Sequence, residues 1–234
     1  MLIEALRKRY TVVVGNFGSG KTELAIAIAK AKRKACSGRV MLVDMDIVNP
    51  YFRSASQEAQ LEAMGIEVMK PTFALTNVDV PILPAQMHSV FGLEDVEVVI
   101  DVGGDEIGAT ALGRFRPHIL PIRDEMQMLY VLNPCRPFSS QVNDVQMLYQ
   151  GIVQRSRMTP DYLVNNTNLQ EFTTAEEILH YREYVDEVSK ELGLPIGFVA
   201  GAMEIKDRLP KEMQEYYFDF IPVMKPKWLV DAHE

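Results

Sequence analysis

The sequence predicts a three-layer α/β fold, a mostly parallel, doubly wound sheet of about seven strands with helices on both faces. Three observations predict it. Short β-branched runs alternate with longer segments of helical periodicity, the pattern of repeated β-α-β units. Strand candidates such as "VEVVI" are continuously apolar, as expected where both sheet faces are covered. A length of 234 residues suits one open α/β domain, so 1–234 is expected to fold as a single unit.

The elements follow in order. Val12–Val14 is the first strand, and Lys21–Ala35 a helix with Leu24, Ile28 and Ala31 on one stripe. "RVMLVDMD" supplies a second strand at Val40–Asp44. Arg53–Met64 predicts a helix that stops at Gly65, a residue suited to the left-handed position after a helix. "IEVM" is a short third strand. Pro71–Pro84 is proline-bearing and irregular, a surface loop leading to a short helix near Gln86–Phe91. "VEVVIDVGG" is the next strand, and Asp105–Arg123, broken by Gly and Pro, a helix in pieces. "MQMLYVLN" is a strand, Ser139–Gln154 a helix and "DYLVNN" a strand. Thr174–Glu191 is the clearest helix: Thr174 and Glu177 form a capping box, and Gly193 ends it. Its stripe of Ile178, Tyr181, Val185, Val188 and Leu192 predicts core packing. "PIGFVAGA" is the last strand.

Composition removes several classes. A hydrophobic fraction of 47% and a charged fraction of 24% are ordinary for a soluble globular protein. A net charge of −8 disfavours nucleic acid and anionic membranes as partners. Cys36 and Cys135 are far apart and form no C-x-x-C, so neither a disulfide framework nor a cysteine metal site is expected. There is no run of 18 apolar residues to span a membrane. "MLIEALRKRY" places its charges after its apolar residues, the reverse of a secretory signal. A cytoplasmic protein is expected.

Gly15-Asn16-Phe17-Gly18-Ser19-Gly20-Lys21-Thr22 fits G-x-x-x-x-G-K-[ST], the P-loop pattern. A loop wrapped around phosphate needs positive φ and no Cβ in the way, hence Gly15, Gly18 and Gly20. The N–H groups of Gly18 to Thr22 can then form an anion nest at a helix N-terminus. Lys21 can span the β- and γ-phosphates, and the Thr22 hydroxyl is a hard oxygen suited to Mg²⁺. The expected nucleotide contacts run from Gly15 to Glu23. Asp101 closes an apolar strand and begins Asp101-Val-Gly-Gly104. Its carboxylate suits a Mg²⁺-bound water, and the Gly104 N–H can face a γ-phosphate. Asp44 and Asp46, two apart at the end of the second strand, share a face. Either could orient a water or serve the metal, for which the candidates are Thr22, Asp44 and Asp101. Spacing leaves their division of labour open.

Together the P-loop "GNFGSGKT", the aspartate pair and "DVGG" resemble the MinD/ParA/CobQ-CobB nucleotide-binding family of the SIMIBI class of P-loop NTPases, over about Tyr10 to Val223. The resemblance implies a P-loop strand beside the "DxxG" strand, and binding of ATP (or ADP) with Mg²⁺ and slow hydrolysis of ATP. It implies a switch acting on a protein client, metalloenzyme maturation included, and a possible homodimer. It gives Asp44 or Asp46, beside Lys21, the catalytic role on the attacking water. Asn16 departs from the pattern, for many members carry there a lysine that reaches a partner's nucleotide. No cysteine pair offers the metal site of the maturation ATPases.

Guanine-specific relatives read the base with the aspartate of N-K-x-D, where this chain has Asn165-Asn166-Thr167-Asn168. An amide pairs with adenine's donor and acceptor, so Asn165 or Asn166 is the expected base contact and ATP the expected nucleotide. Ile221–Val223 could wall the base. Arg53, Arg114, Arg116 and Arg123 are further charges that could complete the site, though a solvated surface place suits each better. His118 and His180 have no evident companions. Phe73, Met87, Val90 and Phe91 offer a candidate client surface, with core packing as the alternative. Two other functions fit the scaffold: an ATP-dependent ligase or kinase of the dethiobiotin synthetase/cobyrinate amidase type, and a ParA-like scaffold on DNA or membrane.

Overall fold

The computed structural model describes residues 2–46, 55–70, 72–73, 81–82 and 87–223. The chain enters through β1 (Tyr10–Gly15), turns on glycines into α1 (Lys21–Ala35), and continues through β2 (Arg39–Met45), α2 (Ala55–Ala63) and β3 (Ile66–Met69). A two-residue antiparallel pair, β4 (Thr72–Phe73) and β5 (Pro81–Ile82), stands apart from the main sheet. Then follow α3 (Met87–Val90), β6 (Val96–Val102), α4 (Glu106–Arg114), α5 (Arg116–Ile119) and β7 (Met126–Leu132). The chain goes on through α6 (Val142–Ser156), β8 (Tyr162–Asn165), α7 (Ala175–His180), α8 (Arg182–Leu192), β9 (Ile196–Ala202), α9 (Lys211–Gln214) and β10 (Tyr217–Phe220).

The main sheet has eight strands in the order β10-β9-β8-β7-β1-β6-β2-β3. Every pairing in it is parallel. β1 pairs with β6, so the glycine-loop strand lies beside the strand ending in Asp101, as the resemblance implied. Side-chain alternation along β1 divides the core. Tyr10, Val12 and Val14 pack on one face with Leu112, Val145 and Val188, whereas Val13 packs on the other with Leu24 and Ile28. Both faces are apolar because both are covered by helices.

The structure departs from the sequence reading in three places. An eighth strand, β10, pairs with β9 at the sheet edge; "YFDF" is short and was not read as a strand, yet Phe218 packs on Phe198 with ring centroids 5.6 Å apart. The helix expected over Thr174–Glu191 is two helices. Tyr181 sits between them at φ −88°, ψ 3°. Ile178 belongs to a small cluster with Val199, Leu209 and Tyr217, while Val185 and Val188 belong to the main core, so the two halves dock on different surfaces. The capping hydrogen bond stands, with the Thr174 hydroxyl accepting from the Glu177 N–H at 3.2 Å. Of the two readings of the segment before β6, core packing holds for Met87, Val90 and Phe91, which are buried in the main core and offer no client surface. The Phe73 side chain, Arg53 and most of 71–84 lie outside the described residues. Among the described residues, no helix is long and apolar enough to cross a membrane.

α4 and α6 meet backbone to backbone at Gly113, where a Cβ would lie 2.4 Å from the Arg155 carbonyl oxygen. Alanine is the better helix former by about 1 kcal/mol, but an overpacked contact costs about 1–3 kcal/mol. Gly113→Ala is therefore expected to lower the urea midpoint; an unchanged or raised midpoint would show that the helices can separate freely.

Candidate functional site

The site lies at the carboxyl ends of the central strands. β1 ends at Gly15 (φ 148°), and the loop uses positive φ again at Gly18 (75°) and Gly20 (89°), values that glycine adopts without strain. Gly15 is also pressed against β7, for a Cβ there would lie 2.4 Å from the Val131 carbonyl oxygen. α1 begins at Lys21 with no side chain capping it. The Ser19 N–H closes a turn onto the Asn16 carbonyl at 3.2 Å. Among the described residues, nothing accepts from the amides of Gly18, Gly20, Lys21 or Thr22. Unpaired amides at a helix N-terminus form an anion site.

Lys21 is buried, and its Nζ donates to the Asn16 carbonyl at 2.9 Å. Burial lowers its pKa, while the carboxylates of Asp101, Asp46 and Asp105 pull it back up. Asp101 is 1% exposed, and neither of its oxygens has a hydrogen bond of good geometry. Burial raises its pKa to about 6; Lys21 and the nearby Thr22 hydroxyl lower it, and Asp46 raises it. Gly104 is wedged against the loop, where a Cβ would lie 2.6 Å from Lys21 Nζ and 2.7 Å from the Phe17 nitrogen. Asp105 caps α4 by accepting from the Gly108 N–H at 2.7 Å.

Both aspartates after β2 lie beside the site, Asp44 in register with Asp101 of β6. Asp44 is wholly buried and accepts from the Asp46 N–H at 2.9 Å, holding the turn after β2. Asp46 faces the site: its charge acts on both Lys21 and Asp101, and its Oδ1 would lie 3.2 Å from a Cβ on Gly103.

The asparagines after β8 are engaged. Asn165 Oδ1 accepts from the Thr167 N–H (3.0 Å) and hydroxyl (2.7 Å). Asn166 donates to the Ser19 carbonyl at 2.7 Å, and its Oδ1 is buried without a partner. Asn168 Oδ1 accepts from the Gln170 N–H. The exposed Ile221 and Val223 sit near the start of α1, since the Val223 N–H donates to Glu23 Oε1 at 2.7 Å.

The loop "NPCRPFSS" after β7, which carries no motif of its own, borders the site. Asn133 binds both sides of Asn168, donating to its carbonyl at 3.0 Å and accepting from its N–H at 3.2 Å. Arg136 Nε donates to the Gly18 carbonyl at 3.1 Å. Asn16 Nδ2 donates to Ser139 Oγ at 3.1 Å, so the Asn16 side chain points inward. The signal was the loop's place, since every loop after a central parallel strand borders this crevice.

Of the arginines proposed to complete the site, Arg123 binds the Met126 and Thr159 carbonyls and Asp161, at the amino ends of β7 and β8. Arg116 donates to the Arg157 carbonyl, just past the end of α6, and Arg114 ends α4. Helices of a parallel sheet run back against the strands, so all three belong to the opposite rim. His118 does have a companion, His88, with ring nitrogens 3.0 Å apart.

The fold is the parallel α/β fold of P-loop NTPases. The chain is similar to the cell division protein FtsY of Thermotoga maritima, at TM-score 0.50 and 19% identity over 92% of this chain and 65% of that one. It is similar to FlhF complexed with GTP and Mg²⁺, at TM-score 0.52 and 14% identity over 87% and 69%. It is also similar to chloroplast FtsY of Physcomitrella patens, at TM-score 0.53 and 19% identity over 82% and 58%. The chain thus spans 58–69% of the length of these structures, and at such identities the likeness shows the fold alone. No protein-family model and no curated protein matches the chain.

The donor set fits Mg²⁺: the Thr22 hydroxyl and the unpartnered oxygens of Asp101 are hard ligands at the mouth of the amide nest. Among the described residues no three His, Cys, Asp or Glu side chains gather as a metal cage. Burial favours the neutral Asp101, whereas a metal requires the ionised form. Mg²⁺-supported nucleotide affinity is therefore expected to hold above pH 6 and to fall roughly tenfold by pH 5. Titration calorimetry across this range, with and without Mg²⁺, checks it; equal pH dependence in both series would exclude Asp101.

Proposed function

We propose that this protein binds a nucleoside triphosphate with Mg²⁺, hydrolyses it slowly, and acts as a nucleotide-dependent switch toward a protein client. The observation that carries the reading is the set of unpaired amides of Gly18, Gly20, Lys21 and Thr22, flanked by the buried Lys21 and Asp101. Loop amides would hold the β- and γ-phosphates, and Lys21 would leave the Asn16 carbonyl for a phosphate oxygen. Mg²⁺, held by Thr22 and Asp101, would supply neutralising charge. Gly104, already against Lys21, would meet the γ-phosphate through its N–H. Asp46 would position the attacking water. Water would add to the γ-phosphorus and lose its proton to the phosphate or solvent, the bond to the bridging β-phosphate oxygen would break, and a nucleoside diphosphate and inorganic phosphate would leave.

ATP is the nucleotide we favour. FlhF, a structural neighbour, is described with GTP. Here Asn168 stands where a guanine-reading carboxylate would be, and an amide cannot accept from both guanine donors. A MinD/ParA-like place within the class, and a cytoplasmic location, belong to the same proposal.

Lys21→Ala should lower MgATP affinity or turnover at least about a hundredfold in a chain that still folds, with circular dichroism checking the fold. Unchanged affinity would remove the reading. Asp46→Ala should keep MgATP binding but slow hydrolysis; Asp44→Ala should cost stability first, because its carboxylate holds a buried turn. Single-turnover rates and melting curves separate the two.

A further inference from the structure

We propose that Arg136 is a second phosphate-binding cation of the site, supplied by the same chain that carries the glycine loop. The inference rests on the nucleotide reading and names a group that the P-loop pattern does not contain.

The need for it is electrostatic. Lys21 stands among three carboxylates, Asp101, Asp46 and Asp105. A triphosphate adds roughly three to four negative charges, so one lysine and one divalent ion leave the site short of positive charge. Residue 16 does not supply it, because Asn16 is neutral and its amide is turned inward to Ser139.

The structure places one guanidinium on the outer side of the loop. Arg136 Nε donates to the Gly18 carbonyl at 3.1 Å. A Cβ on Gly18 would lie 3.8 Å from that Nε and 3.9 Å from Cδ, so the arginine stem lies along the loop. Arg136 is half-buried and, among the described residues, pairs with no carboxylate, unlike Arg9, Arg39, Arg123, Arg155 and Arg182. Among the described residues its two Nη groups have no hydrogen-bond acceptor. A guanidinium is a planar fork suited to two phosphate oxygens, and it keeps its charge when buried.

The backbone that presents it is fixed. The Arg136 N–H donates to the Asn133 carbonyl at 3.1 Å, and the Arg136 carbonyl accepts from the Ser139 N–H at 2.9 Å. Asn133 is pinned to Asn168, and Ser139 is held by Asn16 and by the Tyr184 hydroxyl, which donates to its carbonyl at 2.7 Å. A turn tied to the loop it overlies keeps the guanidinium beside the backbone that would wrap a phosphate. Because the cation comes from the same chain, it would serve a monomer.

The test is calorimetry on the full chain with MgATP, MgADP and inorganic tripolyphosphate, comparing wild type with Arg136→Ala, Arg136→Lys and Arg136→Gln. Arg136→Ala should weaken MgATP and tripolyphosphate about tenfold or more, with the same thermal midpoint in the absence of ligand. Arg136→Lys should recover most of the affinity and Arg136→Gln should not. Affinity should not depend on protein concentration. Wild-type binding with Arg136→Ala within twofold of it overturns this proposal alone. Recovery by Gln equal to that by Lys also overturns it, since a neutral donor to Gly18 would then suffice. No wild-type saturation by any of the three ligands overturns the nucleotide reading and this proposal together.

Discussion

The opposed buried charges of Lys21 and Asp101 govern the rest of the site. Neither group would be buried alone, because an unpaired ion in the interior costs several kcal/mol. The parallel pairing of β1 with β6 sets Val13 beside Asp101, so the lysine that opens α1 emerges next to the carboxylate that closes the neighbouring strand. Each is strained by desolvation: the lysine pKa is pushed down and the aspartate pKa up to about 6. An apolar pair of similar volume would serve stability better. The arrangement makes sense as a preorganised electrostatic environment, kept ready for a ligand that brings both negative charge and a cation.

Close backbone approach is the second constraint, and glycine meets it. Gly15 touches β7, Gly20 touches the Asn166 amide, and Gly104 touches Lys21 and the nitrogen of Phe17. These contacts draw three strands and two loops into one small volume without side chains between them. What remains exposed inside that volume is backbone N–H, the group that recognises phosphate without regard to the base.

Asparagines tie the neighbouring loops into a frame around it. Asn133 joins the loops after β7 and β8, Asn166 joins the β8 loop to Ser19, and Asn16 joins the glycine loop to Ser139. Tyr184 extends the frame to α8. A displacement of the glycine loop on binding phosphate would therefore be felt at α6 and α8, on the face of the sheet away from α1.

By itself the sequence determined the glycine loop, the apolar strands, the acid at the end of β6 and the parallel layered architecture. Those features are local: positive φ selects glycine, a covered strand selects β-branched residues, and a strand end has room for a carboxylate. Only the tertiary structure decided the rest. Tyr181 breaks a helix because its two halves dock on different clusters, and "YFDF" becomes a strand because β9 offers an open edge. Asp44 comes into register beside Asp101 and holds the Asp46 N–H, Asp46 lies within electrostatic reach of Lys21, Arg123 serves the far rim, and Arg136 lies over Gly18. Each of these depends on which residues distant in the chain become neighbours, and no local spacing encodes that.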